Sequence, residues 1–440
     1  MLRFSILRRL VRPLLVGGGV LVTTACSGGD APSIRIETPS GVRSSDTSAP
    51  LKPPATAPAE SALRFTTLTA GLRFSCGLDG DGRAWCWGAN RQGQLGVGDS
   101  LDRFLPTPVA TTTRFVQIVA GETHACGVDA SGQLHCWGDN RDRELGDSLG
   151  IQRDVPSPVR RWRSVRHLAL GARVTCVTDP ARVVSCWGTD THGERGDARH
   201  DTVPRAEAEA VRTSQRFDTL AAGRHHVCGL TSERDTYCWG GGALLGDGTI
   251  TDRTTPVRVR TTTRFVSLTA GESVTCGLDA DGHALCWGIA FDGQLGQGEP
   301  PRPNTFVPAP VAGVIRFRQL SAGKHRVCGL DLDGAAWCWG SNYNGGLGNG
   351  GGGSEPAPVR VSGGHRFTML AAGDVHTCGL DEAGRAWCWG ENADARGGGA
   401  LGDGTLRSRN IPVPVAPPDA MPAEIPGVDD TSDVTRDQQP

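Results

Sequence analysis

Aromatic side chains are scarce, at 5% of 440 residues, and charge of one sign is not in excess: Lys plus Arg number 45 against 47 for Asp plus Glu. A balance of −2 excludes the strongly basic surface of a nucleic-acid binder. Hydrophobic residues reach only 38%, and 62 Gly with 28 Pro interrupt the chain too often for a helical bundle. The sequence has no His-Glu-x-x-His of a zinc-dependent hydrolase. Gly-Asp-Gly at 246–248 and 402–404 lacks the Lys-Ser/Thr of a phosphate loop and reads as a turn. What the chain does have is cysteine, 15 in all, which points to an oxidising compartment.

Arg3, Arg8, Arg9 and Arg12 lead into the apolar stretch Pro13–Val22, which ends at Thr23-Thr24-Ala25-Cys26. That order of basic, apolar and small residues is an export signal, and it is too short for a membrane span. Its end resembles a bacterial lipobox, which implies cleavage before Cys26, lipidation of Cys26 and membrane attachment through that anchor. The alternative is an ordinary secretory signal in which Cys26 is incidental. Residues 27–62, rich in Pro, Ser, Thr and Ala, have too little apolar surface to fold and are expected to form a flexible linker. Residues 416–440, with Asp419, Glu424, Asp429, Asp430, Asp433 and Asp437 against Arg436, are expected to be a disordered acidic tail. The body between them, 63–415, carries no net charge.

Within that body the cysteines set a register: Cys76/Cys86, Cys126/Cys136, Cys176/Cys186, Cys228/Cys238, Cys276/Cys286, Cys328/Cys338 and Cys378/Cys388. Every pair is ten apart, every second Cys precedes Trp-Gly, and a Gly stands five residues before every first Cys. A pattern kept at every copy identifies an internal repeat. In the first copy, Phe65–Ala70 alternates apolar and polar residues as a half-buried strand does. Phe74–Leu78 and Arg83–Gly88 flank Asp79-Gly80-Asp81-Gly82 and read as strand, turn, strand.

If Asp79 pairs with Arg83 and Gly82 takes the left-handed position, Leu78 faces Ala84, Gly77 faces Trp85, and Cys76 faces Cys86. Such a non-hydrogen-bonded pair has Cα atoms about 4.5 Å apart, within disulfide range. The prediction is therefore one disulfide inside each hairpin, and zinc, whose ligands usually stand closer in sequence, is disfavoured. Fourteen paired cysteines leave Cys26 as the odd one. A Gly-rich loop follows, then a Pro-Val segment such as Pro106-Thr107-Pro108-Val109, expected as a fourth, edge-type strand with its prolines facing solvent. Four short strands per copy make a propeller blade. The fold class is thus all-β, a seven-bladed β-propeller of four-stranded antiparallel blades. The C-terminal strand ending at Val415 is expected to complete the first blade and close the ring.

The run Gly121-Glu122-Thr123-His124-Ala125-Cys126-Gly127-Val128, continuing through Gly132 to Trp137-Gly138-Asp139-Asn140 and Leu145-Gly146, resembles the regulator of chromosome condensation repeat. The seven copies across 63–415 imply that family's seven-bladed propeller. Its members include an exchange factor for a small nuclear GTPase and a secreted bacterial beta-lactamase inhibitor protein, so the resemblance implies a fold rather than one activity. None of the exchange factor's active residues can be placed on this chain.

Each Trp after the second Cys should point away from that Cys and fill the space against a neighbouring blade. Phe65, Phe115, Phe217, Phe265, Phe317 and Phe367 are core candidates. His124, His226 and His376 recur two residues before the first Cys, where other copies hold Phe74, Val174, Val274 and Arg326, and so read as structural. Asp79, Asp81, Asp279, Asp281, Asp331 and Asp333 resemble the opening of a calcium loop but lack its other ligands and read as turns. No catalytic, metal or cofactor-binding residue is assigned.

Copy three departs most from the pattern, with Val165 for Phe, Val177 for Gly, Pro180 in its turn and a polar stretch, Thr189–Gln215. Arg195, Arg199, His200 and Arg205 in that stretch are the candidate partner contacts. Copy seven carries an insertion, Glu391–Ala400. The expected function is an exported, lipid-anchored protein-binding scaffold at the bacterial cell envelope, with an unidentified protein as partner. The alternatives are a lyase or hydrolase of envelope polymers with its site in the central channel, and a purely structural surface protein.

Overall fold

The computed structural model describes residues 63–420 apart from 300–302 and 395–396; Cys26, the linker expected over 27–62 and the chain beyond Ala420 lie outside the described residues. In the first repeat, strands β1 (Phe65–Ala70), β2 (Phe74–Asp79), β3 (Ala84–Gly88) and β4 (Arg103–Pro108) pair in chain order. Seven such four-stranded antiparallel sheets follow one another as blades of an all-β propeller. Among the described residues the only helical pieces are two 3-10 turns, Gly242–Leu244 and Tyr343–Gly345.

The hairpin forms as its residues require. Asp79 N–H donates to Arg83 O at 3.0 Å, Gly82 has φ +75°, and Leu78, Gly77 and Cys76 face Ala84, Trp85 and Cys86. The turn consumes the Asp79 carboxylate: Oδ1 accepts from Asp81 and Arg83 N–H at 2.9 Å, and Oδ2 accepts from Trp85 Nε1 at 3.0 Å.

The other six hairpins keep the same register, so each first cysteine stands directly opposite its second. All seven predicted disulfides are present. Cys76 is bonded to Cys86, Cys126 to Cys136, Cys176 to Cys186, and Cys228 to Cys238. Cys276 is bonded to Cys286, Cys328 to Cys338, and Cys378 to Cys388. Their Cα atoms lie 4.1–4.2 Å apart, the close spacing of a non-hydrogen-bonded pair.

Strand alternation puts sulfur on one face of a blade and indole on the other, so each indole meets the preceding blade's disulfide. Trp137 and Phe115 of the second blade pack with Phe74, Cys76, Cys86 and Leu95 of the first. All seven of these indoles donate across the seam to a backbone carbonyl of the preceding blade, at 2.8–3.1 Å. The loop carrying that carbonyl must come very close. At Gly96, φ is +67° and a Cβ would stand 2.8 Å from the Trp137 ring. Burying one indole removes roughly 150–250 Å² from water, about 4–6 kcal/mol before entropy.

Blade three solves the same packing problem with different volumes. Elsewhere the ring of the first-strand Phe leaves no room opposite: a Cβ on Gly127 would meet Phe115 Cδ1 at 2.6 Å. In blade three the Phe is Val165 and the Gly is Val177, both buried in one cluster, and Trp162 stacks on Trp187 at 6.0 Å. One substitution answers the other.

Three expectations need correction. The C-terminal strand Arg409–Pro414 pairs with Ala386–Gly390 of its own seventh blade, because each repeat already contains all four strands and none is left over. Between the seventh blade and the first, Phe65 N–H donates to Gly384 O at 2.8 Å, as Phe115 N–H does to Gly82 O. The prolines of the fourth strand do not all face solvent: Pro108 and Pro414 do, while Pro106 and Pro412 are buried. Pro106 lies in the bulge between the Cys86 and Gly88 pairings, where no ladder donor is needed. The stretch 189–215 is not all loop, since Arg205–Ala210 forms the fourth strand of blade three, with Ala206 and Ala208 turned inward at period two.

Candidate functional site

Antiparallel strands send alternate connections to opposite faces of the ring. The short turn before each hairpin, 71–73 in blade one, and the long loop 89–102 therefore emerge together. At the centre of this loop-rich face, the residue after each inner-strand Gly is Leu72, Glu122, Ala172, Arg224, Glu272, Lys324 or Asp374. Below it, the small side chains of Ala70, Ala120, Ala222, Ala270, Ala322 and Ala372, with Leu170 in blade three, line a channel of about 290 Å³. Arg224 stands 3.3 Å from Glu122 and 3.4 Å from Glu272, and Lys324 is 3.3 Å from Glu272. Burial, with Glu122 and Glu272 nearby, pushes the Asp374 carboxyl up to about 6. Arg326, lowered to about 10 by burial, donates from Nη2 to the Asp374 carbonyl at 2.9 Å. Reading the residue after each Gly down the seven copies would have found this ring.

Outside the channel, the long loops of the first four blades present apolar side chains to solvent. Leu101, Leu149, Ile151, Val203 and Ile250 are 57–68% exposed. They stand just ahead of the fourth strand in consecutive blades, so the repeat places them in an arc on one face. The sequence reading missed them by looking for departures from the repeat, whereas this signal recurs with it.

The four candidate contacts of blade three divide. Arg195 is sealed inside its own loop, 0% exposed, between Asp190 at 3.3 Å, Asp197 at 3.3 Å and Asp201 at 2.8 Å. It holds the loop rather than offering a surface. Arg205 bonds Asp201 at 2.8 Å, and Arg199 bonds Glu209 at 2.8 Å. Arg199 and His200 are exposed.

The three repeat histidines are buried and structural. His124 Nε2 lies 3.1 Å from Thr175 Oγ1, and His226 Nε2 lies 2.7 Å from Thr275 Oγ1, each in the next blade. Burial depresses their pKa to about 4 for His124 and about 3 for His226 and His376. The Asp-x-Asp turns resembling calcium loops are internally satisfied, as Asp279 shows: Oδ1 accepts from Asp281 and His283 N–H at 2.9 and 2.8 Å.

Two models of the Regulator of chromosome condensation (RCC1) repeat match this chain, one over residues 81–128 and 333–380. The other matches 65–94, 115–143, 317–345 and 370–395. No curated protein matches. Among solved structures, human WBSCR16 is similar at 21% identity and TM-score 0.68, covering 76% of this chain and 94% of that one. Prp20p of Saccharomyces cerevisiae is similar at 20% identity and TM-score 0.69, covering 80% and 87%. At such identities the likeness shows the fold. The repeat matches fall within 65–143 and 317–395, in the first two and last two blades.

Proposed function

We propose that this protein is an exported scaffold that binds a protein partner on the loop-rich face of its propeller, tethered to the bacterial envelope by a lipid on Cys26. The observation that carries the binding reading is the arc of exposed Leu101, Leu149, Ile151, Val203 and Ile250. Exposed apolar side chains repeated on one face of the ring offer a partner apolar surface to cover. Arg199 and His200 stand in the same loop as Val203 and supply its polar rim. Seven disulfides suit an oxidising compartment and hold the blades that present this arc. Of the similar proteins, Prp20p is described by its binding to Gsp1p and histones, and it has been solved with Kap60. Protein binding is thus a use to which this fold is put.

Crosslinking of the mature protein in its native envelope, read by mass spectrometry, should capture a protein partner. The triple variant Ile151→Asp, Val203→Asp, Ile250→Asp should cut that capture at least about tenfold while the thermal midpoint stays put. Unchanged capture would overturn the assignment of this face.

The enzymatic alternative has one observation in its favour, the approach of Glu122, Glu272 and Asp374 at the channel mouth. Arg224 and Lys324 already pair the two glutamates, which favours a structural charge ring. Loss of an envelope-polymer cleavage activity in Asp374→Asn would favour the enzyme.

A further inference from the structure

At the seam between blades three and four, His192, Glu194 and His225 converge. A ring nitrogen of each histidine and a carboxylate oxygen of Glu194 lie within 4.8 Å of one another. Glu194 is fully buried, and its two oxygens differ. Oε2 accepts the His192 backbone N–H at 2.8 Å, while Oε1, also buried, has no hydrogen-bond partner among the described residues. His225 Nδ1 stands 3.7 Å from it, too far for a hydrogen bond. That separation is close to the edge of about 3.3–3.4 Å between two ligands of a tetrahedral ion with bonds of about 2.0–2.1 Å. The imidazoles stand edge to face, centroids 4.8 Å apart, and both are accessible from solvent.

The surroundings complete the set. Asp252 Oδ2 is 2.9 Å from His192 Nδ1, and its other oxygen accepts from Gly242 N–H at 2.8 Å. A carboxylate so fixed is what orients a ligating imidazole. The repeat supplies a comparison. At the seam between blades two and three the same three positions hold Asp142, Glu144 and Arg173, and the guanidinium lies 3.5 Å from Asp142. There a cation is built into the chain; here imidazoles replace both the arginine and its aspartate beside a buried carboxylate.

We propose that His192, Glu194 and His225 form a binding site for a zinc-type divalent cation, with Asp252 as the positioning carboxylate and one coordination position open to solvent. Two nitrogens and one oxygen suit zinc and its neighbours over calcium or magnesium, which prefer all-oxygen sets. A cation there would neutralise Glu194 and clamp the loop bearing Arg195 to the next blade. His192 and Glu194 share the loop of Val203, yet binding of a cation there needs no protein partner.

The test uses the full, disulfide-oxidised mature protein titrated with cobalt(II) chloride and, separately, zinc chloride. One equivalent should bind with micromolar or tighter affinity, give cobalt d–d absorption with nitrogen ligation, and raise the thermal midpoint. Glu194→Gln and His225→Ser should each abolish the stoichiometric cobalt spectrum, and Asp252→Asn should weaken binding by about 10–100-fold. The first two substitutions have precedents in this ring, since Gln94 and Gln294 occupy the Glu194 position and Ser273 the His225 position, so both variants are expected to fold. His283→Gln, in a turn where Asp279 already engages the imidazole at 2.9 Å, should leave binding unchanged. No bound metal at ten-micromolar zinc, or a spectrum surviving both Glu194→Gln and His225→Ser, would overturn the proposal.

Discussion

His376 Nε2 lies 2.6 Å from Ser75 Oγ, a buried contact between the seventh blade and the first. The same hydroxyl donates to Ala400 O at 3.2 Å. The relationship is one case of a pairing rule. Where the residue two before the first Cys is His124, His226 or His376, the residue before the first Cys of the next blade is Thr175, Thr275 or Ser75. Where it is Phe74, Val174 or Val274, the partner is Ala125, Val227 or Val327, packed in the same cluster. Arg326 breaks the rule and turns to the Asp374 carbonyl instead.

Ser75→Ala leaves a buried imidazole nitrogen and the Ala400 carbonyl without their hydroxyl, and should cost about 1–3 kcal/mol. Ser75→Val with His376→Val copies the Val174/Val227 seam and should recover most of that loss. Guanidinium denaturation of the oxidised protein measures the coupling; additive losses would count against the pairing.

Acid should weaken the fold through the same histidines. Their folded pKa values, about 4 and about 3, lie below the ordinary 6.5, so from 6.5 downward the unfolded chain binds protons that the native chain refuses. Their contribution is full above 6.5 and is lost as pH falls toward the folded values, by about 1 kcal/mol per histidine at pH 5.5. Glu144, raised to about 7 by burial, has the opposite sign, stabilising below its ordinary value and losing that as pH rises through 7. Comparison of parent and Ser75→Val/His376→Val between pH 7.5 and 5 isolates one histidine: the variant should fall less.

Every sulfur of the seven bridges is buried, from Cys76 and Cys86 in the first blade to Cys378 and Cys388 in the last. Phosphine reductant followed by alkylation should add no mass to the native protein, whereas in guanidinium all fourteen propeller cysteines should alkylate. Replacing Cys126 and Cys136 together by Ala should cost roughly 2–3 kcal/mol on the chain-entropy account.

Arg195→Met should destabilise by about 3–5 kcal/mol, because it strands Asp190 and Asp197 in a sealed loop. Arg199→Ala and His200→Ala should leave stability within about 0.5 kcal/mol, since both are exposed. Thermal unfolding distinguishes the scaffold residue from the surface ones.

How far the sequence could be read follows from what repeats. The hairpin register, the disulfides and the indole packing were legible because Gly82, Cys76, Cys86 and Trp87 recur at fixed spacing, and each spacing has one geometric solution. Ring closure is not legible from the end of the chain, because Arg409–Pro414 has the same Pro-Val pattern whether it pairs with the first blade or with Ala386–Gly390 of the seventh, as it does. Arg195 looked like a surface arginine because no linear spacing shows that Asp190, Asp197 and Asp201 fold back around it. The metal-type cluster was not legible either: His225 stands 31 residues after Glu194, and only the seam brings them together.

Because every bridge joins a cysteine to the next one along the chain, an oxidase that couples thiols in order of emergence makes the native set without reshuffling. That bookkeeping has a reading frame. A free thiol at Cys26 would shift it by one, pairing Cys26 with Cys76 and Cys86 with Cys126, and strand the last sulfur. The proposed lipid thioether on Cys26 would keep the frame, so that one modification would serve both attachment and the fidelity of oxidation.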